Sequence, residues 1–72
     1  MKNIEELNKV KNRITIVELW DYKFKSLDIS VAEFCRKYKF KEAHISRARK
    51  MKPLPYQRFI DRVEAAFEKE GV

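Results

Sequence analysis

Between residues 30 and 55 the chain carries Arg36, Lys37, Lys39, Lys41, Arg47, Arg49, Lys50 and Lys52 against only Glu33 and Glu42. Residues 1–29 hold six Lys/Arg against five Asp/Glu, and residues 56–72 hold three against four. The formal net charge of +6 is therefore concentrated in the middle of the chain. A localised basic patch attracts polyanions, with nucleic acid the leading candidate. A merely solvated charged face explains such a patch about as well until its geometry is known.

That geometry follows from spacing. If Ile45 and Ala48 face a core, helical steps of about 100° per residue turn Ala43, Ser46, Arg47 and Lys50 outward, with His44 and Met51 beside them. The outward residues have the chemistry to read base-pair edges. Arg47 can donate two hydrogen bonds to a guanine, Ser46 can pair with several bases, and Ala43 allows close approach to a thymine methyl. His44 and Lys50 complete the candidate reading face. Lys41 and Glu42, at the start of the segment, can meet a base or a phosphate, and Glu42 can accept from a cytosine amine. Arg36, Lys37 and Lys39 on one side, with Arg49 and Lys52 on the other, would contact phosphates and fix the register. Any one of these lysines is equally well read as a solvated charge.

Other chemistries lack the residues. His44, Cys35 and Gly71 are each the only one of their type, which excludes a glycine-rich phosphate cradle and a zinc site of the usual His/Cys type and leaves no convincing triad or metal cluster. No enzyme activity, cofactor, metal or small-molecule ligand is expected. The Glu5-Glu6 pair reads as solvated surface. Cys35 reads as a small buried residue rather than a redox switch, and a lone cysteine rules out an intrachain disulfide. A cytoplasmic protein is expected, since no apolar run is long enough to span a bilayer and no leader-like segment opens the sequence.

Short helices must position the basic face. With 72 residues, 44% hydrophobic and 39% charged, the composition fits one small all-α domain with a polar surface. No Asn-Gly or Asp-Gly hairpin signal occurs. Leu7, Val10, Ile14, Val17, Trp20, Phe24 and Leu27 recur at three- and four-residue steps, which predicts helix. The β-branched run Ile14-Thr15-Ile16-Val17 would also suit a strand, and Asn12 is the expected break between a short leading helix and a longer one from about Arg13 to Lys25. Ile16, Leu19 and Tyr22 lie off the stripe, as scattered surface residues or as part of a dimer contact.

Ser30 followed by Glu33 predicts a capping box, after which Val31, Phe34, Cys35 and Tyr38 form a buried face. A second short helix, about 42–51, follows Lys39-Phe40-Lys41 and is expected to stop at Pro53 and Pro55. A last helix is predicted from about Pro55 to Glu70, with Tyr56, Phe59, Ile60, Val63 and Phe67 as its apolar stripe and Gly71 as its C-cap. The spacing of Trp20, Phe34, Tyr38, Phe59 and Phe67 favours core packing over base stacking.

Phe34-Cys35, Tyr38, Phe40, Ile45 and Ala48 resemble the helix-turn-helix of the phage Cro and xenobiotic-response-element repressor family. In that family a small residue where the helices cross is followed ten positions later by an Ile or Val, as with Cys35 and Ile45. The sequel Lys50-Met51-Lys52-Pro53-Leu54-Pro55 also resembles the family's basic turn and proline before a further helix. The resemblance spans about residues 13 to 70. It implies a Cro-like four- to five-helix bundle forming a single DNA-binding domain over residues 1–72, with the motif at about 30–51. Where the family usually has glycine in the turn, this chain has Lys39, at a cost of about 1 kcal/mol.

The function implied is a sequence-specific double-stranded-DNA-binding regulator, of phage or plasmid repressor type, with helix 42–51 in the major groove. A homodimer on a palindromic operator, half-sites about 34 Å apart, is expected. The alternative is a small basic helical protein-interaction module, antitoxin-like or a phage inhibitor, docking on an acidic partner. RNA binding has less in its favour without an exposed aromatic pair for stacking.

Overall fold

The computed structural model describes the backbone from residue 4 and the side chains from residue 11 to residue 72. The side chains of Leu7, Val10, Glu5 and Glu6 lie outside the described residues. Five helical segments follow in order: α1 Ile4–Glu18, α2 Trp20–Ser26, α3 Val31–Tyr38, α4 Glu42–Arg49 and α5 Gln57–Glu70. No strand occurs among the described residues, so the domain is all-α. None of the described helices is long and apolar enough to cross a membrane.

The first helix runs unbroken through Asn12, contrary to the expected break there. Asparagine inside a helix costs well under about 1 kcal/mol relative to alanine, too little to end one that gains elsewhere from packing. The β-branched run is helical too. Thr15 donates its hydroxyl back to the Lys11 carbonyl at 3.0 Å, one turn earlier, one of the bonds open to threonine inside a helix. The interruption comes instead at Leu19, whose N–H bonds Ile16 at 3.1 Å in a tightened turn. Around this joint, Val17, Trp20 and Phe24 all stay buried. Ile16 packs partly against the core, whereas Leu19 is 52% and Tyr22 73% exposed.

Aromatic rings knit the segments together. Phe34 of α3 lies 5.3 Å from Phe24 of α2 and 5.2 Å from Phe67 of α5, centroid to centroid. Phe40, in the connection after α3, stacks on Phe34 at 5.9 Å and meets Phe59 edge-on at 5.7 Å. Trp20 is fully buried between Phe59 and Phe67. Its indole N–H has no hydrogen-bond partner among the described residues. Trp20, Phe24, Phe34 and Phe67 are buried as their spacing predicted, and Tyr38 and Phe59 pack against the core in part.

The last helix begins at Gln57, two residues later than expected. Tyr56 therefore sits outside the helical phase, in an extended conformation with φ −70° and ψ 154°. Instead of joining the apolar stripe it is 81% exposed. Ile60, Val63 and Phe67 do form the buried stripe, and Gly71 caps the helix at φ 79°, a left-handed conformation that glycine adopts without steric cost.

Candidate functional site

The basic segment is built on α3 and α4. Ser30 starts α3 as its N-cap, its hydroxyl accepting the Glu33 N–H at 3.1 Å. Only this half of the expected reciprocal pair forms. The helix buries Phe34 and Cys35 and leaves Arg36 and Lys37 exposed in its last turn. Lys39 then takes the left-handed conformation, φ 61° and ψ 42°. The Phe40 N–H closes the turn on the Cys35 carbonyl at 2.8 Å. A lysine thus occupies a left-handed position, and its side chain remains exposed.

Lys41 is the N-cap of α4, with Glu42 in its first turn, where a carboxylate suits the positive end of the helix. Ile45 is 0% and Ala48 3% exposed. Those two residues fix the rotation of the helix. Ala43, His44, Ser46, Arg47 and Lys50 consequently all face solvent, as do Lys41 and Glu42. Cys35 and Ile45 belong to one buried core, and α3 packs against α4. The Cys35 thiol is pushed up in pKa, chiefly by burial and secondarily by the nearby Glu42 carboxylate, which fits an inert packing residue.

The end of α4 differs from expectation. The helix stops at Arg49, short of both prolines, and Met51 is left-handed at φ 57°. Paired bonds, Met51 N–H to the Ala48 carbonyl at 3.0 Å and Lys52 N–H to that of Arg47 at 3.2 Å, close it as a Schellman turn. The prolines instead shape the path to α5, where Arg13 donates to the Pro55 carbonyl at 3.0 Å.

No protein-family model, curated protein or solved structure matches this chain.

The peripheral cations fall into two groups. Arg36, Lys39 and Lys52 are exposed and form no ion pair with a described residue. Lys37 and Arg49 are engaged. Lys37 donates to the Glu70 carboxylate at 2.6 Å, and the Tyr38 hydroxyl donates to the same oxygen. Arg49 donates from Nε to Asp21 at 2.7 Å, with its guanidinium 4.9 Å from the centroid of the Phe24 ring.

Two features of this surface escape sequence reasoning. Tyr56, with Pro53, Pro55 and Phe59, forms an open cleft of about 300 Å³ beside His44, Arg47 and Ala48. Asp21 joins Ser46, Arg49 and Lys50 around a second, polar hollow. No local spacing links Asp21 to Arg49, 28 residues away; only tertiary packing brings them together. Among the described residues no group of His, Cys, Asp or Glu could hold a metal ion.

Proposed function

We propose that this chain is a sequence-specific double-stranded-DNA-binding transcriptional regulator of phage or plasmid repressor type, with α3, the turn at Lys39–Lys41 and α4 as a Cro-like helix-turn-helix. The observation that carries the reading is the rotation of α4: Ile45 and Ala48 are buried while Ala43, His44, Ser46, Arg47 and Lys50 are exposed. A helix with this face can lie in the major groove, its donors toward base edges. The left-handed Lys39 and the surplus of positive charge confined to residues 30–55 add support.

Arg47 is the principal base reader, with Ser46, His44, Ala43 and Lys50 beside it and Lys41 and Glu42 at the helix start. Arg36, Lys39 and Lys52 hold backbone phosphates on either flank, joined by Lys37 and Arg49 when their carboxylate partners release them. One short recognition helix offers limited contact, so a homodimer spanning a two-fold operator is the functional unit. Leu19 and Tyr22, the exposed members of the off-stripe set, form its pairing surface, since Ile16 packs partly against the core and the apolar stripe of α5 is buried within the protomer.

Binding of the 72-residue chain to duplex and single-stranded DNA pools of equal length tests the reading. Preference for duplex, persisting at about 0.15 M salt, is the expected result. Binding to neither pool, together with tight binding to an acidic protein surface, would place the chain among protein-interaction modules instead.

A further inference from the structure

Asp21 stands at the edge of the proposed DNA-binding face, where a carboxylate opposes an incoming polyanion. It is the first acidic residue of α2, and its side chain is 62% exposed. It accepts the Arg49 Nε–H at 2.7 Å. Together with Ser46, Arg49 and Lys50 it surrounds a polar hollow between α2 and α4. Of these, the Arg49 guanidinium offers the hydrogen-bond donors suited to a phosphate oxygen, while Ser46 and Lys50, on the reading face, form the far wall of the hollow. Asp21 supplies the anion already there.

We propose that this hollow is a phosphate site, and that Asp21 is the resident counter-anion of Arg49, exchanged for a backbone phosphate when duplex DNA docks. The inference rests on the DNA-binding reading and adds to it a residue that sets overall affinity. The Asp21–Arg49 pair is exposed enough to be weak and readily displaced. Only the Nε edge of Arg49 bonds Asp21, so its two terminal amino groups remain as donors for the phosphate. Phe24, 95% buried by its 5% exposure, backs the guanidinium and keeps it at the mouth of the hollow.

The exchange has a thermodynamic signature. In the wild-type chain Arg49 is neutralised internally before binding, so docking a phosphate there frees one carboxylate and releases no net counterion. With Asp21→Asn, Arg49 is unpaired before binding, so its docking on a phosphate releases a condensed cation from the duplex as any other protein cation does. The salt dependence of duplex binding should then steepen by about 0.9 in the log–log slope. Affinity should rise several-fold for every duplex, since a phosphate contact carries no sequence information.

The experiment is a double-mutant cycle on the full chain, with Asp21→Asn, Arg49→Ala and both together. Fluorescence anisotropy on random-sequence duplex at several salt concentrations supplies affinity and slope, and circular dichroism checks folding. The exchange predicts a gain for Asp21→Asn that disappears in the Arg49→Ala background. No gain, or an equal gain without Arg49, overturns it: the first leaves Asp21 inert and the second makes it a generic repulsive charge. If the wild-type chain binds no duplex even at low salt, the DNA-binding reading falls and the exchange falls with it; duplex binding with a flat cycle removes the exchange alone.

Discussion

Arg47 and Lys52 illustrate how residues a few positions apart should behave differently. Arg47 lies on the exposed face of α4, and Lys52 beyond its end. Arg47→Ala should cost about 1–3 kcal/mol on a preferred duplex and relax base preference. Lys52→Ala should weaken binding to all duplexes alike and flatten the salt slope by about 0.9. Affinity titrations on preferred and random duplexes measure both, and equal losses for the two variants would refute the division of roles. Glu70 makes a different kind of prediction. Hydrogen bonds from Lys37 first and then Tyr38 hold its carboxylate below its ordinary pKa, while Lys37 and Tyr38 are held above theirs chiefly by their bonds to Glu70. A depressed carboxylate stabilises the fold above its unfolded pKa, and that stabilisation is lost as pH falls through the folded value. Raised lysine and phenol groups contribute below their unfolded values and lose that contribution as pH rises through the folded ones. The clasp between α3 and the end of α5 is therefore whole near neutrality and opens in acid and in strong base. Glu70→Gln should lower the melting temperature at pH 7, with the difference from wild type shrinking as both are acidified.

At the scale of elements, two left-handed residues that are not glycine separate backbone strain from side-chain function. Lys39 is exposed, so Lys39→Gly should relieve strain and stabilise the fold by about 1 kcal/mol, while weakening duplex binding through the lost cation. Met51 is left-handed too, but its side chain packs against the core. Met51→Gly should gain less, because lost packing offsets the relieved strain. Urea denaturation followed by circular dichroism ranks the two. Helix identity and the buried stripes were legible in the sequence because periodicity reports which face packs: Ser30 marked the start of α3, Gly71 the end of α5, and Ile45 with Ala48 the inward side of α4. The joints were less legible. The interruption at Leu19 is a backbone adjustment that keeps Val17, Trp20 and Phe24 in one core, and no residue type announces it. Tyr56 has the spacing of an inward residue, yet the later start of α5 takes it out of phase. Asp21 gave no local signal because its partner comes from another helix.

The whole molecule couples its core to its surface. Ile45 fills the centre of the core, and Ile45→Ala should destabilise the domain by about 2–5 kcal/mol. For a domain this small that is a large share of total stability. DNA binding should fall with the folded fraction, as read by fluorescence of the single, fully buried Trp20. Pairing of two protomers is a separate matter. Tyr22→Glu places charge on an exposed site away from the core, so it should keep the helical circular dichroism of the wild type while reducing self-association in sedimentation. In the proposed function α4 reads duplex sequence as one half of a symmetric pair. Duplexes retained by the 72-residue chain from a random pool, selected over repeated rounds, show whether it does. Recovery of an inverted repeat with half-centres about one helical turn apart is the predicted result. A pool that stays random after repeated rounds, although the protein binds it, would contradict the claim.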